Sequence, residues 1–243
     1  MSMLDRLLST YESGGVRAVY SEGRRYWRDH PARILLYARL RTARLSWLSS
    51  YSAVADPTKL LYVSPDRIGN VSNEFSTAAD VGRIVDGEWD LDTTEFSEKV
   101  RYQAIRQRYE EGDEWEETGI YEYYLDRIDA HGRYDGCYTL DDVKRRYRNV
   151  DRMYESMSAN GYDETRVENV LDHVCVNIGR NGDLLHAGIG NHRLSIAKLL
   201  DIDEIPVRVV VRHETWQRKR ERVANGESDL STSDTHPDLK DLQ

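Results

Sequence analysis

The chain has 243 residues, 32% of them charged and 39% hydrophobic, with a formal net charge of −9 at pH 7. That length suits one large domain or a core with an appendage. No apolar run approaches the roughly 18–20 residues that a helical membrane span needs, so the composition excludes a helical membrane protein.

Lysine occurs only at positions 59, 99, 144, 198, 219 and 240, so arginine supplies nearly all the positive charge. An acidic, lysine-poor chain is halophilic in character, the composition of proteins that work at high internal salt. At molar salt the Debye length is about 3 Å, so net acidity there says little about partners. The opening residues MSMLDRLLST lack a long apolar segment, and the expectation is a cytoplasmic protein. Cys137 and Cys175 match no metal or redox spacing and read as two reduced thiols.

Residues 1–50 carry a net charge of +5, leaving −14 for the rest. Within this arm, RRYWRDHPARILLYARLRTARLSW, residues 24–47, reads as helix interrupted at Pro31, with Leu35, Leu36, Leu40 and Leu45 sharing a face. Such an arm either packs on the core or touches an acidic partner, DNA included. KLLYVSPDRI, 59–68, predicts a strand ended by Pro65. VGRIVDGEWDLD, 81–92, predicts a short strand and a turn, and 95–110 and 117–130 predict helices that account for Tyr121, Tyr123 and Tyr124. Thr139 is the expected N-cap of a helix that runs to about Ala159 and stops at Asn160-Gly161.

HVCVNI (173–178), a turn containing Asn181-Gly182, and LLHAGI (184–189) predict a strand hairpin. A helix at 191–200 and a valine-rich strand, IPVRVVVRH (205–213), follow. Beyond Glu214 the chain becomes charged, and residues 214–243 are expected to be largely disordered.

The mouth of helix 191–200, GIGNHRL, carries the chemistry. At 100° per residue Leu194, Ile196, Ala197, Leu199 and Leu200 share a buried face, with Asn191, Ser195 and Lys198 opposite, toward solvent. His192 and Arg193 then point inward at the open N-terminal end, where unpaired N–H groups carry partial positive charge. Arg193 adds forked donors, Asn191 is the expected N-cap, and Gly188 and Gly190 let a ligand approach the backbone. Together these five residues predict a phosphate or carboxylate seat. In the alternative, Arg193 pairs with an internal acid such as Asp183 and His192 is structural. Asp86, Glu88 and Asp90, at alternate positions, would share one side of an extended segment and hold Mg²⁺ or supply a base; the alternative is an acidic loop. His213 and Trp216 either close a pocket edge or pack in the core.

The segment VNIGRNGDLLHAGIGNHRLSIAKLLDIDEIPVRVVV, with LDDVKRRYRNVDRMYESMSANGY before it, resembles the ParB N-terminal/sulfiredoxin-like superfamily. The likeness covers about 139–213, with 59–68 as a weaker match to the first strand. It implies an α+β fold with a small mixed sheet, a helical insertion at about 69–138 inside a 59–213 domain, and the N-terminal arm outside it. Sulfiredoxins carry a cysteine before the His-Arg pair; Asn191 stands here, which argues against sulfinic acid reduction. DNA-loading members bind CTP through Gly-Glu-Arg-Arg, matched here by Gly190 and Arg193 without the glutamate. Free-serine kinases of the superfamily keep the His-Arg pair.

The expected function is therefore a nucleotide- or phosphate-binding protein, a kinase-like phosphotransferase or nucleotide hydrolase. ATP, ADP or CTP with Mg²⁺ would be the cofactor, and His192, Glu88 and Asp86 the catalytic candidates. The alternatives are a non-catalytic, nucleotide-gated DNA-binding protein and a scaffold with a vestigial pocket. No helix-turn-helix is evident after residue 213.

Overall fold

The computed structural model describes residues 31–48, 51–167, 170–227 and 236–242. The chain opens with helix α1 (Pro31–Leu48), then strands β1 (Leu60–Val63), β2 (Asn70–Val71), β3 (Arg83–Val85) and β4 (Thr94–Glu95). Helix α2 (Val100–Arg106) runs on into a π turn at Gln107–Glu111, and helices α3 (Ile120–His131) and α4 (Leu140–Asn160) follow. The remainder is β5 (Val174–Ile178), β6 (Leu184–His186), helix α5 (Asn191–Leu199), β7 (Ile205–His213) and helix α6 (Glu214–Ala224). The content is mixed α+β.

Strand β7 organises the sheet, whose order is β1-β7-β5-β6-β2-β4. Its first half pairs antiparallel with β1, Leu60 opposite Arg208 and Val63 opposite Ile205. Its last residues pair parallel with β3, Arg83 opposite Val211. β5 runs parallel to β7 through the crossover helix α5, and β5 and β6 form the expected hairpin. A valine-rich strand with both faces covered is buried along its whole length, because no face is left for alternation with polar residues. Ile205, Val207 and Val209 enter the larger core and Val210 and Val211 a smaller one.

Segment 69–138 holds more than the helices expected of an insertion. The short strand expected within 81–92 is β3, which pairs with β7, while β2 joins the sheet parallel to β6 and β4 pairs with β2. The two-residue strands β2 and β4 are too short to leave a periodic signal.

Helix α4 forms where the capping box predicts. Asp142 N–H donates to Thr139 Oγ1 at 3.2 Å and Thr139 N–H returns a bond to Asp142 Oδ2 at 3.1 Å. Val143, Tyr147, Val150 and Met157 are its buried stripe, and Gly161 ends it at φ +71°.

Two further expectations are corrected. The described part of α1, Pro31–Leu48, seats Ile34 and Ala38 on the smaller core. Leu36 and Leu40 are each 56% exposed instead of forming the packed stripe. Residues 1–30 of the basic arm lie outside the described residues. The C-terminal segment is ordered where it is described, as α6 and as a 3-10 helix at Pro237–Leu242. Asp238 is the reason: it is fully buried, bonded by Arg212 Nε at 3.0 Å and Trp216 Nε1 at 2.9 Å, and Arg220 lies 3.2 Å away.

Candidate functional site

The loop between β6 and α5 is pinned to β5 on both sides. Ala187 N–H donates to Cys175 C=O at 2.8 Å and Cys175 N–H to Ile189 C=O at 3.1 Å. Gly190, at φ +86°, turns the chain into α5, and a Cβ there would lie 2.7 Å from Val174 Cα. The approach of Val174 therefore requires a glycine here in its own right, beside its expected role at the cavity. Gly188, at φ +92°, has only Asn73 Oδ1 at 3.7 Å near its missing Cβ.

The N-cap of α5 is Gly190, not Asn191. Asn191 is the first helical residue, and its Nδ2 donates to Gly188 C=O at 2.6 Å. Asn191 and Ser195 are also buried, contrary to the helical projection, because α2 and α4 pack over the side of α5 that a two-layer projection leaves to solvent. Ser195 satisfies its hydroxyl on Asn191 C=O at 2.7 Å.

In front of this helix mouth lies a cavity of about 490 Å³, within the range usual for small-molecule sites. Gly188, Gly190, Asn191, His192 and Arg193 all line it. The opposite wall comes from three elements that the sequence did not flag: Arg101 of α2, Asp135 of a tight turn, and Arg146 with Asn149 and Met153 of α4. Three guanidinium groups thus face one cavity.

Arg193 is bound through NH1 to the backbone carbonyl of Asp172 at 2.5 Å. Among the described residues no carboxylate pairs with it, so the pairing with Asp183 is not formed and the charge of Arg193 stays available to the cavity. The His192 ring packs edge-on against Tyr147, with centroids 5.7 Å apart, and its Nε2 is shielded from solvent without a hydrogen-bond partner among the described residues. Burial, reinforced by Arg101, Arg146 and Arg193, drives the imidazole pKa down to about 3. His192 is therefore neutral at pH 7, a hydrogen-bonding group rather than a second cation.

Beyond Arg193 a smaller cavity of about 220 Å³ shares Asn149, Met153 and Arg193 with the first and adds Met157 and Tyr162 together with the polar Arg152, Ser156 and Asp163. The wall is less polar there, and the Tyr162 hydroxyl is buried without a partner among the described residues.

The acidic trio is not brought to this site. The segment bends at Gly87, φ +104°, and Asp86 and Asp90 converge on His213 Nε2, at 3.8 and 3.9 Å, away from the cavity lining. The Asp90 side chain is 4% exposed and takes Arg180 N–H at 2.8 Å and Arg180 Nε–H at 2.9 Å; against the upward push of burial, these bonds hold its carboxyl below the usual range. Asp86 is 74% exposed, with an oxygen 3.8 Å from His213 Nε2, and Glu88 is also exposed. Among the described residues no group of three or more His, Cys, Asp or Glu is arranged to hold a metal ion. His213 Nε2–H donates to Gly87 C=O at 2.9 Å, and Trp216 packs edge-on against His236; both are core residues, and neither lines the cavity. Tyr124 is buried as expected of helix packing, but its hydroxyl also donates to Asp135 at 3.1 Å and so backs the site.

Position-specific signals for the missed residues existed but were short. Asp135-Gly136 is a two-residue hairpin turn of the kind that needs positive φ twice, with φ +49° and +78°. Arg146, Asn149 and Met153 fall at helical spacing on one flank of α4. Arg101 gives no local sign, since its partners lie 23 and 34 positions away.

No family model, curated protein or solved structure matches the chain. No helix of the described residues is long and apolar enough to cross a membrane.

Proposed function

We propose that the protein binds a nucleotide, with its phosphates in the 490 Å³ cavity at the mouth of α5, and that it acts as a phosphotransferase or nucleotide hydrolase. The observation that carries this reading is the convergence of Arg101, Arg146 and Arg193 with the first amides of α5 on one cavity. Forked donors and a helix N-terminus are the groups that bind phosphoryl oxygens best, and their attraction grows as charge develops on those oxygens. The second, less polar cavity beside Arg193 has room for a base or another flat group, which favours a nucleotide over phosphate alone.

His192 has a defined part in this scheme. Burial above all, and then the three guanidinium charges, keep it neutral, and an arriving phosphate offsets the electrostatic part. The ring then gains proton affinity when ligand is bound, which suits a group that positions or exchanges a proton at the phosphoryl oxygen. Asp86, Glu88 and Asp90 do not fit Mg²⁺ at this cavity, since none of them lines it. The strand–hairpin–strand–helix–strand order over β5, β6, α5 and β7 supports a fold of the ParB N-terminal/sulfiredoxin-like kind.

Calorimetry with ATP, ADP and CTP on the full chain tests the reading. Binding that is lost in Arg193→Ala supports it; equal affinity in that variant removes the site. A response restricted to CTP, without turnover, favours the nucleotide-gated DNA-binding alternative, for which α1 offers the exposed Arg39 and Arg44.

A further inference from the structure

The Arg101–Arg146 side of the cavity already holds an anion of the protein's own. Arg101 NH2 reaches Asp135 Oδ2 at 2.9 Å, Arg146 NH2 reaches the same oxygen at 2.5 Å, and Tyr124 Oη–H donates to it at 3.1 Å. Three donors from α2, α3 and α4 therefore converge on one point, which is the geometry of a seat for a single oxyanion atom. The seat persists without the carboxylate. Arg101 Nε is held by Tyr124 Oη at 3.1 Å, and Arg146 NH1 by the Asp135 backbone carbonyl at 2.8 Å.

Asp135 itself is mounted so that it can leave. It sits in a two-residue turn closed by Tyr134 N–H to Cys137 C=O at 3.0 Å and Cys137 N–H to Tyr134 C=O at 2.8 Å, with Cys137 buried beneath. Its side chain is 34% exposed, whereas that of Arg101 is 16% exposed. The two backbone bonds that close the turn do not involve the carboxylate, so a side-chain rotation would leave them in place. The charge balance gives the displacement a direction: three guanidinium groups line the cavity against the carboxylates of Asp135 and Asp172. Removing Asp135 raises the positive excess by one and empties a second seat beside the one at Arg193.

We propose that Asp135 is a specificity-determining residue, an internal carboxylate that fills the Arg101–Arg146 seat and yields it to ligands bearing more than one phosphoryl group. Single phosphates then use the Arg193 seat alone, whereas linked phosphates, as in a nucleoside di- or triphosphate, must displace Asp135 to bind fully. This inference rests on the reading that phosphate binds at the mouth of α5.

The test is titration of the full chain with inorganic phosphate and with pyrophosphate, comparing wild type, Asp135→Asn, Asp135→Glu and Arg193→Ala. Asparagine tolerates the left-handed backbone of residue 135, so the turn survives the change, and thermal melting confirms folding. Removing the competing charge is expected to tighten pyrophosphate about tenfold in Asp135→Asn and to change phosphate less than about threefold, with Asp135→Glu close to wild type. If pyrophosphate affinity is unchanged or weaker in Asp135→Asn while both anions still require Arg193, the role of Asp135 is overturned and the site stands. If neither anion binds wild type or Asp135→Asn, both fall.

Discussion

Replacing Gly190 with alanine measures how tightly the site's loop is pressed on the sheet. The residue has φ +86°, where a left-handed backbone costs an L-residue about 1–2 kcal/mol. The added Cβ would also lie 2.7 Å from Val174 Cα and 2.8 Å from its Cγ2, well inside the 3.4 Å at which ordinary contact begins. Val174 Cα belongs to a central strand and cannot rotate away, so the overlap must be relieved by moving the loop, at an overpacking cost of about 1–3 kcal/mol. The two terms together predict a loss of about 2–5 kcal/mol, which lowers Tm by roughly 4–20 °C in a domain of this size. Gly188→Ala is the internal control. Its φ is similar, +92°, but its nearest neighbour is Asn73 Oδ1 at 3.7 Å, so only the backbone term of about 1–2 kcal/mol applies. Thermal and urea denaturation of both variants decides the matter. Equal losses at the two positions, or no loss at 190, would refute the claim that the loop rests directly on β5.

Asp238→Asn removes the charge that Arg212 and Arg220 share, leaving the buried Arg212 without a paired carboxylate and Arg220 with Asp241 alone, and is expected to cost about 3–5 kcal/mol in urea denaturation; a change under about 1 kcal/mol would contradict the clamp. Acid should destabilise the protein well before its carboxylates titrate. Burial lowers the imidazole of His186 to about 3 and that of His236 to about 4, from an ordinary 6.5. The unfolded chain protonates these rings near pH 6.5 and the folded chain does not, so their contribution is complete above pH 6.5 and lost as pH falls toward 4. At pH 5 the loss is about 2 kcal/mol for each ring, visible as a falling Tm between pH 7 and 5; a flat profile would show that the rings are not held neutral. Tyr124→Phe deletes one of the three donors on Asp135 Oδ2 and a partner of Arg101, and is expected to weaken pyrophosphate binding several-fold with a smaller effect on stability; an unchanged affinity would separate Tyr124 from the site.

The elements that could be read from the sequence are those whose signals are local. The capping box at Thr139, the valine run at 205–213 and the glycines around Ile189 each fix a boundary within a few residues of where it falls. Half of the cavity was legible for the same reason, since Gly188 to Arg193 is one continuous stretch whose helix dictates where its side chains point. The other half was not, because Arg101, Asp135 and Arg146 are brought together only by the packing of α2, α3 and α4. The errors have a similar origin. Asp86 and Asp90 do come together, but on His213 and Arg180, and nothing local in VDGEWD shows that those partners lie away from the helix mouth. The segment around Asp238 reads as disordered from its polar composition, yet one buried carboxylate with two arginine partners, 26 and 18 positions earlier in the chain, is enough to dock it. Burial of Asn191 and Ser195 depends on a second layer over α5 that periodicity alone does not reveal.

The central claim is that phosphoryl oxygens bind where Arg193 meets the first amides of α5. A crystal structure of the full chain soaked in pyrophosphate tests it most directly. One phosphoryl group is predicted within hydrogen-bond distance of Arg193 and the Asn191 or His192 backbone N–H. A cavity that stays empty at saturating pyrophosphate, or an anion bound elsewhere on the surface, would contradict it.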